Sequence, residues 1–115
     1  MSAQPQIFGV RGDAATRKAL RFFAERRIPT HFVDLSRRAA SAGELRRFAQ
    51  KFGVASLVDR GSRRFADLGL AHAHLSEAAW LAKLVDEPQL LAMPLVRWEN
   101  RLTIGQAEAE WRTWA

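Results

Sequence analysis

The sequence lacks cysteine altogether and has little lysine. Its 115 residues contain no cysteine, and lysine occurs only at Lys18, Lys51 and Lys83. Because the reactive form of a thiol needs a cysteine sulfur, thiol redox chemistry by these residues is excluded. No apolar run approaches the roughly 20 residues of a membrane-spanning helix, so no membrane insertion is expected.

Positive charge is plentiful and is carried mostly by arginine. Lysine and arginine together number 18 against 12 acidic residues, which gives a formal net charge of +6. A basic domain attracts nucleic acid, acidic proteins or anionic ligands, but an arginine-rich proteome would produce the same bias without a functional surface. The arginines come as scattered pairs with no recognised DNA-reading motif, so sequence-specific DNA binding is not expected.

The length fits one domain that covers residues 1–115. A hydrophobic fraction of 48% is typical of a globular chain that buries a core without metal or disulfide support. The segment Met1–Pro5 has neither the basic nor the apolar region of a secretory signal, so the cytoplasm is the expected location.

Hydrophobic periodicity predicts a strand–helix–strand opening, a helical middle, and a hairpin followed by a last helix. Asp13 is a preferred N-cap residue for the first helix, and Ser41 with Glu44 forms a capping-box pattern. A polar connector is expected at 54–64. The predicted strands lie at 6–10, 30–35, 94–98 and 101–104, and the predicted helices at 14–26, 41–52, 64–68, 77–85 and 107–114.

This order of elements predicts an α/β fold with a mixed four-stranded sheet. The β-α-β unit supplies two parallel strands, because such crossovers are right-handed and return to the same sheet, and the hairpin adds two antiparallel strands. The layout resembles the thioredoxin-like fold with a helical insertion at about residues 41–92.

Five segments of the sequence form a pattern of motifs, which includes a Ser-x-x-Glu-Leu helix opening and an aromatic-x-x-Leu-Gly-Leu stretch. The segments are Thr16–Leu20, Glu25–Pro29, Ser41–Leu45, Phe65–Leu70 and Glu87–Val96. In their order and spacing they resemble the arsenate reductase ArsC/Spx family, and the resemblance extends from Ile7 to about Glu108.

The resemblance also identifies what this chain has replaced. The family's nucleophilic cysteine corresponds to Asp13, and the second cysteine of its Cys-x-x-Cys members corresponds to Thr16. The three anion-holding arginines of the reductases correspond to Met93, to Asp59 (with Arg60 adjacent) and to Gln106. The resemblance therefore implies that both the nucleophile and the oxyanion clamp have been lost, and that no catalytic residue remains.

Asp13 is interpreted as a helix cap, although a carboxylate can also serve as a nucleophile or base. As a cap it would satisfy the free N–H groups of the helix and repel arsenate or phosphate. The resembled fold has a cis peptide at the position of Met93-Pro94, and X–Pro bonds are where cis peptides occur. Asp13, Thr16 and Pro94 are therefore expected to shape the former pocket.

The histidines raise the question of a metal site, and the tryptophans raise that of a partner-binding surface. His31, His72 and His74 have no cysteine beside them, so they are interpreted as surface residues, and neither a metal nor a cofactor is expected. Trp111 and Trp114 lie three residues apart on one helix face. They either pack into the core or form a partner surface, since exposed tryptophan is enriched at binding hot spots.

Together these observations favour a non-catalytic regulatory or protein-binding module with an acidic protein partner. The resemblance to Spx-type regulators suggests an RNA polymerase subunit, and Gly53 matches a position that those regulators use toward polymerase. Arg26, Arg27, Arg46 and Arg47 would supply the attraction. The alternatives are an arsenate/thiol reductase-related enzyme with residual or altered activity, and a protein that binds nucleic acid non-specifically through its charge.

Overall fold

The computed structural model describes residues 4–114 and contains the predicted order of strands and helices. Residues 1–3 of the segment considered for a secretory signal lie outside the described part. The strands are β1 (Gln6–Gly9), β2 (His31–Asp34), β3 (Leu95–Trp98) and β4 (Arg101–Ile104). The helices are α1 (Ala14–Glu25), α2 (Ala42–Phe52), α3 (Arg63–Asp67), α4 (Glu77–Asp86) and α5 (Glu108–Trp114), with short 3-10 turns at Val54–Leu57, Leu70–His72 and Pro88–Leu90.

The chain separates into two compact units. The first unit runs to Arg38 and resumes at Met93, and the second is Ala39–Ala92. The first unit therefore holds the whole sheet with α1 and α5, and the second unit is helical. Among the helices described between residues 4 and 114, none is both long and apolar enough to cross a bilayer.

The sheet of the first unit is mixed and has the strand order β2-β1-β3-β4. β1 runs parallel to β2, and both β1 with β3 and β3 with β4 are antiparallel. β1 and β2 can run parallel because α1 carries the chain back across the sheet between them. The antiparallel strands β3 and β4 need only the two-residue turn at Glu99-Asn100 to join them. The predicted α/β fold with a mixed four-stranded sheet is confirmed.

Aromatic and aliphatic side chains from α1, α5 and the sheet form the core on one side of that sheet. Alternate strand residues face the same side, which places Ile7 and Val96 in this core. The indole nitrogen of Trp111 donates a hydrogen bond of 2.8 Å to the Thr103 hydroxyl oxygen. The buried members of the cluster are Ile7, Ala19, Phe22, Phe23, Val96, Trp111 and Trp114.

The partner surface predicted at Trp111 and Trp114 is wrong. Trp111 is fully buried, and Trp114 is 8% exposed. Their three-residue spacing does put both rings on one face of α5, but this face packs inward, where the Trp111 ring centroid lies 5.4 Å from that of Phe22 and 5.6 Å from that of Phe23. Core packing, the other interpretation of this pair, is what the structure contains.

In the second unit, α2 begins with the predicted capping box. The Glu44 backbone N–H donates to the Ser41 hydroxyl oxygen at 3.0 Å, and the Ser41 N–H donates to a Glu44 carboxylate oxygen at 2.8 Å. The connector predicted as polar at 54–64 instead contributes Leu57 and Val58 to the buried residues. Val58 forms a bridge with Leu91, and this pairing brings the connector into the core.

Candidate functional site

The loop between β1 and α1 is organised by the carboxylate of Asp13. The Asp13 N–H donates to the Val10 carbonyl at 3.0 Å and closes a tight turn, after which α1 begins at Ala14. One oxygen of the Asp13 carboxylate accepts hydrogen bonds from the Thr16 backbone N–H and from the Thr16 hydroxyl, each at 2.8 Å. Asp13 is therefore the N-cap of α1, as predicted.

Thr16 is locked against the end of β1. It is fully buried, and its hydroxyl is used by Asp13. A Cβ atom added to Gly9 would lie 2.6 Å from the Thr16 methyl carbon and closer still to the hydroxyl oxygen. Gly9 is thus required for this close approach, and Thr16 fills the space that a side chain at position 9 would take.

Pro94 immediately precedes β3 and lies beside Gly9 at the end of β1. Leu95 pairs with Phe8 in the antiparallel β1–β3 ladder, so the preceding residue lies next to Gly9. The Met93-Pro94 peptide is cis, as predicted. Gly9, Thr16 and Pro94 therefore come together at the carboxyl end of β1, next to the cap formed by Asp13.

The remaining positions of the predicted clamp have different surroundings. Gln106 is exposed and follows Gly105, whose N–H donates to the Pro94 carbonyl at 2.8 Å. Met93 is half-buried. Asp59 belongs to the second unit, where a carboxylate oxygen accepts from the Gly61 N–H at 3.1 Å. Asp59 therefore serves as a turn residue, and none of the three side chains carries positive charge.

Two arginines and a second carboxylate beside the Asp13 loop were not identified from the sequence. A terminal nitrogen of Arg17 donates to the Arg11 carbonyl at 2.8 Å, and the Arg11 guanidinium lies 4.8 Å from the centroid of the Phe32 ring. Asp34, at the end of β2, has its pKa lowered, first by hydrogen bonds from Ser36 and then by the charges of nearby arginines. Asp34 and Ser36 have the Asp-x-Ser spacing that is typical of turns closed by an aspartate side chain, so this spacing could have identified Asp34 from the sequence.

The four arginines considered for partner binding are exposed and lie in both units. Arg26 is the C-cap residue of α1. Its guanidinium carbon lies 3.7 Å from the centroid of the Phe22 ring, and a terminal nitrogen donates to the Phe22 carbonyl at 3.1 Å. Arg27 follows with a positive φ of 58°. Arg46 and Arg47 lie on the solvent face of α2.

Gly53 has a structural role at the end of the same helix. Its N–H donates to the Ala49 carbonyl at 2.8 Å, and its φ of 84° is one that residues with a side chain rarely adopt. The geometry of the helix end therefore accounts for a glycine at position 53 without any role in partner binding.

Histidine does not form a metal site in the described part of the chain. His31 lies on β2 of the first unit, whereas His72 and His74 lie in the second unit, and all three are exposed. Within residues 4–114, no three histidine, aspartate or glutamate side chains are grouped in a way that could hold a metal ion.

A β-α-β unit joined to a β-hairpin and a last helix, with the loop after β1 capping the first helix, defines a thioredoxin-like α/β protein. The chain belongs to the ArsC family, whose model matches residues 13–114. No curated protein shows a statistically significant match to the sequence.

Solved structures share the whole fold at low sequence identity. An ArsC family related protein from Bacteroides fragilis has a TM-score of 0.89 at 17% identity, over 100% of both chains. The protein YFFB has a TM-score of 0.88 at 20% identity, over 96% of this chain and 97% of its own. An arsenate reductase from Vibrio cholerae has a TM-score of 0.82 at 19% identity, over 96% of both chains. At identities of 17–20%, these similarities establish a shared fold.

Proposed function

We propose that this chain is a protein-binding member of the ArsC family that carries out no thiol reduction. The observation that carries the proposal is the Asp13 carboxylate, which occupies the N-terminus of α1 with two hydrogen bonds of 2.8 Å. The resemblance places the family's nucleophilic cysteine at this residue, and the 115 residues contain no cysteine elsewhere.

The electrostatics of the loop support the loss of anion chemistry. A helix N-terminus stabilises a thiolate or an oxyanion through its free N–H groups and its dipole. Here a fixed negative charge already takes that place, so an arriving arsenate or phosphate meets repulsion. The positions of the former clamp add no compensating cation, since they carry Met93, Asp59 and Gln106.

Charge supports an acidic protein as the partner. The formal net charge is +6, and the arginine pairs at Arg26-Arg27 and Arg46-Arg47 are exposed. Complementary charge speeds association and selects against other basic proteins. By resemblance to Spx-type regulators, an RNA polymerase subunit is the first candidate, and a regulatory role in the cytoplasm is the corresponding proposal.

A thiol-coupled arsenate assay on the purified protein tests the loss of catalysis. We expect no turnover with any small thiol or thiol protein, while the Vibrio cholerae arsenate reductase run in parallel turns over. Turnover that depends on added thiol and that disappears in Asp13→Ala would show that Asp13 has a catalytic role, and the proposal would be wrong.

Affinity capture tests the binding role. The tagged chain is incubated with nuclease-treated native lysate, and retained proteins are identified by mass spectrometry. We expect one acidic protein to be retained at physiological salt. A protein that is retained from untreated lysate but not from nuclease-treated lysate would instead indicate non-specific nucleic-acid binding.

A further inference from the structure

A groove between α1 and α5 of the first unit concentrates charged side chains. It has a volume of about 310 Å³, and both helices line it. Five of its six lining residues are charged. These residues are Lys18, Arg21, Phe22, Glu25, Arg26 and Glu108.

The cations of this groove are available to a ligand. Lys18 and Arg21 are three residues apart on α1 and are exposed, and among residues 4–114 neither is in an ion pair. Arg26 is held in place by its contact with the Phe22 ring at 3.7 Å and by its hydrogen bond to the Phe22 carbonyl. An arginine that is already oriented loses less side-chain entropy when it binds a carboxylate.

The acidic residues of the groove disfavour a nucleic acid as its ligand. Glu25 lies beside the cations on α1, and Glu108 faces the groove from α5 with a neighbouring Arg112 at 3.7 Å. A phosphate backbone carries negative charge at every step, so it would meet repulsion at both carboxylates. Phe22 is 4% exposed and lies beneath Arg26, so this groove offers no open ring on which a base could stack.

We propose that this groove binds an acidic segment of a partner protein in which carboxylates alternate with a basic residue. The carboxylates of that segment pair with Lys18 and Arg21, and its basic residue lies near Glu25 and Glu108. The assignment rests on the proposed protein-binding function. It extends that function from the arginine pairs to Lys18 and Arg21, which the sequence did not single out.

The test is an NMR titration of the full isotope-labelled chain with three probes of equal length. The first probe is a peptide in which pairs of glutamates alternate with single lysines, the second is an all-glutamate peptide, and the third is oligouridylate. The variant Lys18→Glu with Arg21→Glu is compared with the control Lys51→Glu with Arg63→Glu, whose residues lie on α2 and α3. Both change the formal charge equally at exposed helix positions, and a dispersed spectrum verifies folding.

We expect the mixed peptide to shift the amide signals of Lys18, Arg21 and Glu108 and to bind more tightly than the other two probes. The groove variant should weaken this binding by roughly tenfold, while the control changes it less than about twofold. Tighter binding of oligouridylate, equal weakening by both variants, or no shift with the mixed peptide would each overturn the proposal. A partner captured from lysate equally well by the groove variant would also overturn it and leave the binding function standing.

Discussion

At the scale of single residues, Asp13 shows how one side chain combines a structural and an electrostatic role. Its carboxylate accepts the Thr16 N–H and the Thr16 hydroxyl, which stabilises the first turn of α1. The same charge makes the N-terminus of the helix unfavourable for an anion. These two roles can be separated by substitution because serine also caps helices but carries no charge.

Asp13→Ser is expected to leave stability nearly unchanged, whereas Asp13→Ala lowers the unfolding free energy by about 1 kcal/mol because the cap is lost. Urea unfolding of both variants measures this difference. Calorimetric titration with phosphate should show no binding to the natural sequence and weak binding to Asp13→Ser. Tight phosphate binding to the natural sequence would contradict the electrostatic role assigned to Asp13.

Gly9 is needed for a contact rather than for a turn. A Cβ at this position would overlap the side chain of Thr16. Thr16 is buried, and its hydroxyl donates a hydrogen bond to the Asp13 carboxylate. We expect Gly9→Ala to lower the unfolding free energy by about 1–3 kcal/mol, as overpacking does in a closed core. Gly12→Ala is the control, because a Cβ at Gly12 meets no atom within 4 Å. Adding Thr16→Ala should recover part of the loss, and an equal effect of both glycine variants would contradict the contact.

At the scale of elements, local signals predicted where helices begin better than which faces they bury. The caps at Asp13 and Ser41 are hydrogen bonds to residues three positions away, so neighbouring sequence suffices to predict them. The burial of Trp111 depends on Phe22 and Phe23, which are distant along the chain. Phe52 shows the opposite case: it follows the buried Phe48 by four residues, a spacing that favours the same buried helix face, but it is 36% exposed.

One ion pair joins α3 to the end of α4. Two nitrogens of Arg64 donate to the two oxygens of Glu87, at 2.6 and 3.1 Å. These hydrogen bonds hold the pKa of Glu87 below its ordinary value of 4.5. A carboxyl group whose pKa is lowered by folding stabilises the fold above its unfolded pKa, and this contribution is lost as the pH falls through the folded value.

Glu87→Gln is therefore expected to lower the melting temperature near neutral pH and to differ less from the natural sequence well below pH 4.5. Thermal unfolding followed by circular dichroism across this range measures the difference. Asp67→Asn is the control, because the Arg63–Asp67 pair is long, at 4.0 Å, and exposed. A constant difference between Glu87→Gln and the natural sequence at every pH would contradict the role of this ion pair.

At the scale of the whole molecule, positive charge is unevenly distributed along the chain. The segment from Arg11 to Arg27 contains α1 and has only Asp13 and Glu25 as acidic residues. Its cations are Arg11, Arg17, Lys18, Arg21, Arg26 and Arg27. Exposed charges of this kind act over a Debye length, which falls from about 10 Å at 0.1 M salt to about 3 Å at 1 M.

We expect retention of the acidic partner to decrease steeply as salt is raised above the physiological range. The measurement is capture on the immobilised chain at increasing sodium chloride, with the retained partner quantified at each step. Retention that is insensitive to salt would show that apolar contacts dominate, and the electrostatic account of the partner would be wrong.

The amino-acid sequence is sufficient to predict the absence of thiol chemistry, the positive charge, the order of the elements and the helix caps. Composition decides the first two, and the others depend on side chains within a few residues of one another. Packing in the folded protein buries Trp111 and Trp114, sets Thr16 against Gly9, and places Glu108 in one groove with Lys18 and Arg21. Each of these contacts joins residues from separate elements, so it depends on how the helices pack against the sheet, which local patterns do not encode.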